Sequence, residues 1–553
     1  MSEQASPDYI IVGAGSAGCV LANRLSASPD RHVLLIEAGG RDRHPLMKLP
    51  FAFMKLQFVP RLSWGYWSEP EPELEGRKLW LPRGRCLGGT SSINGMVYSR
   101  GHPLDYDEWA KLGADGWSWQ DVLPYFRRSE GSWRGASEHH GADGPLTVSP
   151  VDTTGPIFDA TMATARTLGY KVVDDQHGAE TGEGFAPPEV TVANGRRASS
   201  ATQYLHPVAA RPNLDIMTHA LVTRIVVEHG RAVGVEIADG AGTRMVRAEG
   251  EVILAAGAYN SPKLLLLSGI GPADELRALG IEVQLDLPGV GRNLQEHPLT
   301  GIGYELNQPI GFENNLRFDR LAWNVGRFAL GLGAAETQLP VTSFAFLRTQ
   351  NGLERPDIKA NIYPTRLDGR IWFPGIRKGA GHAMSVFAVL LRPESRGSVT
   401  LRSADPAVPP AIRINMFQDR RDLATMRRTI RLQRDFFATK PLADLIGREI
   451  MPTREVQTDE EIDAYHRRSC VLAHHASSTC AMGKGPDAVV DSQLRVHGID
   501  GLRIADASIM PRVIGGNTNA PVIMIGEKAA DLILGNALLA PVSPIPRLAA
   551  VGG

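Results

Sequence analysis

Six residues, Gly13-Ala14-Gly15-Ser16-Ala17-Gly18, have the spacing of a turn that receives a pyrophosphate. They follow the strand-like run Tyr9-Ile10-Ile11-Val12, and a second apolar run, His32-Val33-Leu34-Leu35-Ile36, ends in the acid Glu37. Gly13 permits the turn, Gly15 lets backbone approach the phosphates, and Gly18 lets helix and strand pack closely. The helix N-terminus that follows presents free N–H groups and a positive dipole end to negative charge. Glu37 is placed to accept hydrogen bonds from a ribose diol, which favours a cofactor without a 2′-phosphate. A lone glycine fingerprint is weak evidence; one between two strands, with an acid about 20 residues on, is strong. The unit predicts binding of FAD or NAD. Two other stretches have chemical potential. The small residues of Arg83-Gly84-Arg85-Cys86-Leu87-Gly88-Gly89-Thr90-Ser91-Ser92-Ile93-Asn94-Gly95 allow backbone to lie against a flat ligand. The pair His474-His475 offers imidazole, whose ordinary pKa lies near working pH. Read alone, such a pair is more often a polar turn or a packed core pair.

The elements that must carry these groups are spread along 553 residues, enough for three or four domain-sized masses at roughly 150 residues each. Hydrophobic residues are 43% and charged residues 22%, an ordinary globular balance. The net charge of -1 provides no field for nucleic acid or an anionic membrane. Four cysteines (Cys19, Cys86, Cys470 and Cys480) make no disulfide framework and no C-x-x-C pair, so reduced buried thiols and no metal site are expected. There is no basic n-region of a signal peptide and no apolar run long enough for a bilayer, so a cytoplasmic protein is expected. Short strands are predicted at Asp215–Met217, Ile225–Val227 and Ala232–Ile237, as a β-meander. Glu251–Gly257 reads as a buried strand, and Ser261-Pro262-Lys263 as the opening of a leucine-rich helix. From about 300 to 470 the texture changes to aromatic strands (Lys359–Tyr363, Ala383–Leu391) and a charged helix, Asp419–Phe437. The chain then returns through Arg503–Asp506 to a closing helix over about Ala520–Leu534.

From Asp8 to about Gly535 the chain resembles the glucose–methanol–choline oxidoreductase family of flavoproteins. The resemblance rests on the fingerprint, the Arg83–Asn94 loop, Gly257–Gly269, Gly289-Val290-Gly291-Arg292-Asn293-Leu294-Gln295-Glu296-His297, and the block His475–Pro521. It is nearest to the bacterial choline-dehydrogenase-like and primary-alcohol branch. The implied fold is α/β, a Rossmann-like FAD-binding domain (1–155, 195–300 and 470–540) interrupted by an α+β substrate-binding domain built on an antiparallel sheet (156–194 and 301–469). Residues 541–553 are expected to be a loose tail.

The resemblance implies FAD and hydride transfer from an alcohol. The family's His-x-x-Gly-Thr corresponds to His475-Ala476-Ser477-Ser478-Thr479, which makes His475 the base; Ser478 stands where Gly is usual. The second active-site position falls on Asn517, a donor to the developing alkoxide. Cofactor contacts are expected from Gly13, Gly15, Ser16, Ala17, Gly18, Glu37, Ala38, Trp67, Arg83, Gly88, Gly89, Thr90, Ser91, Asn94, Gly95, Val222, Ala256, Gly257, Asp506, Ala507, Asn517 and Thr518. The aromatic run Trp64–Trp67 is a candidate wall for the ring, Ala473 and His474 for the substrate pocket, and His297 for a structural role. Covalently flavinylated members carry a histidine after the Ser-Ser pair; here that residue is Ile93, so noncovalent FAD is expected. The expected partners are a small-molecule alcohol and an electron acceptor (quinone, dye or O2), with no nucleic acid, in a monomer or homodimer. Choline dehydrogenase proper and a flavin-containing cyanohydrin-lyase-type enzyme are the alternatives.

Overall fold

In the computed structural model the described residues are 6–178, 182–333, 339–366 and 369–542. Tyr9–Val12, Val33–Glu37, Leu214–Thr218, Glu251–Leu254 and Leu502–Ile504 form one parallel sheet. Its spatial order is 214–218, 33–37, 9–12, 251–254, 502–504, so the chain's first and last strands lie two places apart. The near-continuous apolar sequence of the inner strands fits a sheet covered on both faces. The Tyr9–Val12 strand is where the order reverses, and ligands bind such sheets beyond the carboxyl ends of the strands at that point.

The fingerprint turn is compact. Gly13 has φ +102°, and a Cβ there would lie 2.6 Å from the Ala255 carbonyl oxygen. A Cβ on Gly18 would lie 1.9 Å from the Gly13 oxygen, so helix Ser16–Leu25 sits as close to its strand as glycine permits. Helix Asn519–Leu534 packs across it, with Gly526 against Ala17 and Val20. Glu527 on the closing helix is fully buried, paired with Arg24 and Arg128 and accepting the Tyr204 hydroxyl. The two ends of the sequence are thereby joined beneath the ligand cleft.

The second sheet is antiparallel and has seven strands. Six run in the order 446–451, 298–306, 383–390, 358–363, 343–347 and 184–186, and Val471–Leu472 pairs with 298–306. Strand alternation divides its residues between two faces. Ala345, Leu347, Ile358, Ala360, Ile362, Met384 and Val386 pack against helices Pro156–Thr167 and Arg420–Phe437. Phe344, Phe346, Lys359, Asn361, Tyr363, Phe387 and Val389 look the other way, toward the cleft.

Two local expectations need correction. Asp215–Met217 belongs to the parallel sheet, not to the meander, which is Leu221–Glu228, Arg231–Asp239 and Gly242–Arg247. Asn213 draws that strand in by donating to the carbonyls of Ser26, Ser28 and Arg31. The leucine-rich helix starts at Gly257, not at Ser261, and Pro262 lies inside it. Asp506 sets that start, accepting from the Gly257 N–H and the Ser261 hydroxyl. All four cysteines are buried and free of disulfides. Among the described residues no helix is long and apolar enough to cross a membrane. The tail expected from 541 lies, after residue 542, outside the described residues.

Gly18→Ala has no space for its methyl group without separating helix from strand. It is expected to cost about 1–3 kcal/mol and to weaken FAD retention together with stability. Thermal melting with excess FAD, read beside the ratio of flavin to protein absorbance, tests this; an unchanged melt would contradict the close-packing argument.

Candidate active site

A single cleft of ≈ 670 Å³ runs from the fingerprint turn to the cleft-facing side of the antiparallel sheet. Its floor brings together Gly13, Gly15, Ser16, Ala17, Glu37 and Ala38 from the first βαβ unit, and Val222 from the meander. The Arg83–Gly95 loop adds Arg83, Gly89, Thr90, Asn94 and Gly95, and the turn after strand Glu251–Leu254 adds Ala256 and Gly257. Asp506, Ala507, Asn517 and Thr518 come from the C-terminal block, as do Ala473, His474 and His475. These residues, more than 500 positions apart at the extremes, line one elongated space with a glycine turn and a helix N-terminus at one end. That donor set fits a dinucleotide.

Four expected residues do not line it. Gly18 faces the Gly13 carbonyl. Gly88 and Ser91 lie behind the wall, where the Gly88 N–H donates to the Ala14 oxygen and the Ser91 hydroxyl to the Gly88 oxygen. Trp67 is 52% exposed and meets Trp80 edge-on. The reason is alternation along Tyr66–Trp67: Tyr66 turns inward to donate to Asn260, which turns Trp67 outward. Trp64 lines the cleft instead, with the Arg85 guanidinium over its ring.

The two carboxylates that line the cleft among the described residues are already engaged. Glu37 accepts from the N–H groups of Ala14 (3.1 Å) and Gly39 (2.8 Å). Burial raises it to about 7, partly offset by those two hydrogen bonds. Asp506 accepts from Gly257, Ser261 and Ser508, so it caps two helical segments as well as facing the cleft. Glu37 and Asp506 therefore shape the turns that a cofactor would touch.

At the far end, His475 Nε2 lies 3.0 Å from the Asn517 amide nitrogen, and His475 Nδ1 lies 2.9 Å from His297 Nδ1. Lys359 Nζ lies 2.7 Å from Asn517 Oδ1. An ammonium only donates, so the Asn517 carbonyl must face Lys359 and its NH2 must face His475. His475 Nε2 therefore accepts, its Nδ1 carries the hydrogen, and His297 Nδ1 accepts that hydrogen in turn. The Leu391 backbone also hydrogen-bonds the His297 ring. Burial holds His475 well below the usual imidazole value, with charge from His297, Lys359, His474 and Arg83 adding to it. A neutral imidazole with its basic lone pair at the cleft is a base ready to take a proton.

Backbone geometry explains how this loop is held. His474 has φ +65° and Ser478 φ +74°, left-handed positions that bracket His475. The second accounts for a preference for glycine at 478 and makes Ser478 a strained residue. Ala473 N–H donates to the His297 oxygen, and Ser477 and Gln295 exchange backbone hydrogen bonds. Between them Glu296 accepts the N–H groups of both His297 and His475 while pairing with Arg83. Burial raises the Glu296 carboxyl, and Arg83 is the largest influence opposing that.

Lys359 and Glu296 were absent from the sequence reading as site residues. Lys359 left a faint signal: in Ile358-Lys359-Ala360-Asn361-Ile362-Tyr363 the polar residues alternate with apolar ones and share a face. Glu296 left none beyond its motif, because nothing in a sequence says which backbone a carboxylate will meet.

Burial also holds His474 down, to about 3, with the Arg83 charge adding, and its Nδ1 has no partner among the described residues. The unfolded chain takes a proton there near 6.5 and the folded one does not, so stability falls as pH drops below 6.5. His474→Gln removes one such group. Its unfolding free energy, from urea titrations with excess FAD, is expected to fall less steeply between pH 6.5 and 4, by about 1.4 kcal/mol per pH unit. Identical slopes in the two proteins would contradict the burial of a neutral ring.

The comparisons with known proteins agree with this architecture. Two family models, each described as GMC oxidoreductase, match residues 7–299 and 393–526. The oxygen-dependent choline dehydrogenase of Rhizobium etli is 44% identical over 535 residues, covering 96% of each chain. Pyridoxine 4-oxidase from "Mesorbium loti" superposes with a TM-score of 0.85 at 33% identity, covering 96% of this chain and 100% of that one. Formate oxidase from Aspergillus oryzae, a protein whose FAD is modified, superposes at 0.88 with 27% identity, covering 97% and 99%. The chain is thus an FAD-binding enzyme acting on CH–OH donors, and it belongs to the GMC oxidoreductase family.

Proposed function

We propose that this enzyme oxidises a primary alcohol, aliphatic or aryl, to the aldehyde, with His475 as the base and FAD held noncovalently. The observation that carries the reading is the His475–Asn517 pair at the cleft wall, where a neutral imidazole keeps Nε2 as acceptor. Oxidising an alcohol removes a proton from oxygen and a hydride from carbon. Bound FAD supplies the hydride acceptor. When the alcohol enters, the Asn517 N–H shifts from His475 Nε2 to the alcohol oxygen, the freed lone pair takes the hydroxyl proton, and the ring is oriented for that by the hydrogen bond from Nδ1 to His297. The Asn517 amide donates toward the oxygen as negative charge develops there. Phe387, Val389, Leu391 and Ala473 supply apolar wall around the carbinol, which excludes water and strengthens those interactions. Helix Asn519–Leu534 presents its N-terminus to the cleft, with Asn519 accepting from the Ser16 hydroxyl of the fingerprint turn, favouring negative charge on the ligand.

Arg83, Gly89, Thr90, Asn94 and Gly95 would hold the cofactor's middle, Gly13, Gly15, Ser16, Ala17, Ala256 and Gly257 its pyrophosphate region, and Val222 its adenine. Ile93 is buried at the cleft in the position where a covalent link would need a nucleophilic nitrogen, which supports noncovalent attachment.

His475→Ala is expected to keep FAD and to be reduced about 10²–10⁴-fold more slowly by the wild type's best alcohol, measured as anaerobic flavin bleaching. An unchanged rate would remove His475 from the chemistry. Separately, acid precipitation is expected to leave a colourless pellet and a yellow supernatant; colour retained by the washed pellet would overturn noncovalent attachment.

A further inference from the structure

Lys359 is 2% exposed, yet its ammonium lines the cleft beside the His475–Asn517 pair. Its Nζ lies 4.0 Å from the Phe344 ring centroid and 5.4 Å from that of Phe346. Among the described residues it has no carboxylate partner; burial alone perturbs it, lowering it to about 7. A buried cation without a counter-ion is costly to keep, so its place at a reaction centre calls for a negative or electron-rich guest.

The rest of the wall has the same bias. Glu37 and Asp506 are its only carboxylates among the described residues, and both accept backbone N–H groups in the cofactor half. Glu296 lies behind His475, committed to two N–H groups and Arg83. Around Lys359 the sheet presents Asn361, Tyr363, Phe387 and Val389. Aromatic rings can attract a quaternary ammonium, but here they would do so against a like charge within the same pocket.

We infer that Lys359 is a specificity-determining residue, and that it makes the site select neutral or anionic hydroxymethyl compounds and reject quaternary ammonium alcohols. This rests on the alcohol-oxidation reading above. Its chemical basis is charge alone: the ammonium attracts a carboxylate or the developing alkoxide and repels a fixed cation of the same shape.

Choline and 3,3-dimethylbutan-1-ol test it, since they match in shape and differ in charge. Anaerobic flavin reduction at pH 6, where the ammonium is charged, is expected to favour the neutral alcohol by roughly 100-fold in apparent second-order rate. Lys359→Met is expected to reduce that ratio to below ~10, and Lys359→Glu to reverse it. A ratio is read because losing the hydrogen bond to Asn517 slows all alcohols alike. A readout without turnover is the perturbation of the bound flavin spectrum by pivalate and by tetramethylammonium; pivalate is expected to bind the wild type more tightly. FAD content and melting temperature report whether the variants fold; if they do not, the wild-type rate ratio and the two binding constants decide. Choline reducing the flavin as fast as its neutral isostere, or tetramethylammonium binding better than pivalate, would overturn the inference and leave alcohol oxidation standing. Flavin that no alcohol bleaches would instead overturn the proposed reaction, while the two binding constants would still decide the role of Lys359.

Discussion

Glu296 is fully buried and has both oxygens engaged. One accepts the backbone N–H groups of His297 and His475, and the other meets the Arg83 guanidinium. Three separate stretches of chain converge on that carboxylate: the Arg83 loop, the Asn293–His297 turn and the His474–Thr479 loop. Removing one partner of such a buried pair typically costs about 3–5 kcal/mol, because the other charge is left in low dielectric. Here the backbone N–H of the proposed base is one of the partners. The position of the imidazole is therefore tied to the same interaction that joins the two halves of the cleft, and Arg83 lines the cleft while holding it.

The electrostatic character of the site follows from what surrounds this anchor. Burial favours the neutral form of His297, His474 and His475 alike. Burial pulls Lys359 toward its neutral form as well, to about 7, while one oxygen acceptor and two aromatic rings face its ammonium beside the proposed base. The Lys359 hydrogen bond orients an amide, the amide orients a ring, and the ring orients a second ring. A chain of this kind sets tautomers without any of its members needing to be charged except the first.

The nucleotide half of the fold was legible because it is local. Gly13, Gly15 and Gly18 serve a turn made within ten residues, and the glycine requirement is steric: φ +102° at Gly13 and no space for a Cβ at Gly18. The Lys359–Tyr363 and Ala383–Leu391 strands and the Asp419–Phe437 helix were legible for the same reason, since periodicity and capping act within a segment. Asp215–Met217 was misplaced because a short apolar run does not encode its partner; the Asn213 side chain, reaching carbonyls nearly 200 residues away, decides it. Trp67 was misplaced because two adjacent strand residues exchange faces, and the inward place went to Tyr66.

By itself, the amino-acid sequence determined the dinucleotide turn, the order of the segments and, through the resemblance, His475 and Asn517 as the residues to watch. Those depend on contacts within one turn or on motifs that run continuously. Only the tertiary structure decided that Lys359, near the start of strand Ile358–Tyr363, stands 2.7 Å from Asn517, that Glu296 receives the His475 N–H, and that no unengaged carboxylate lines the cleft among the described residues. Charge acts through space, and the distances that set its strength exist only after the chain has closed on itself.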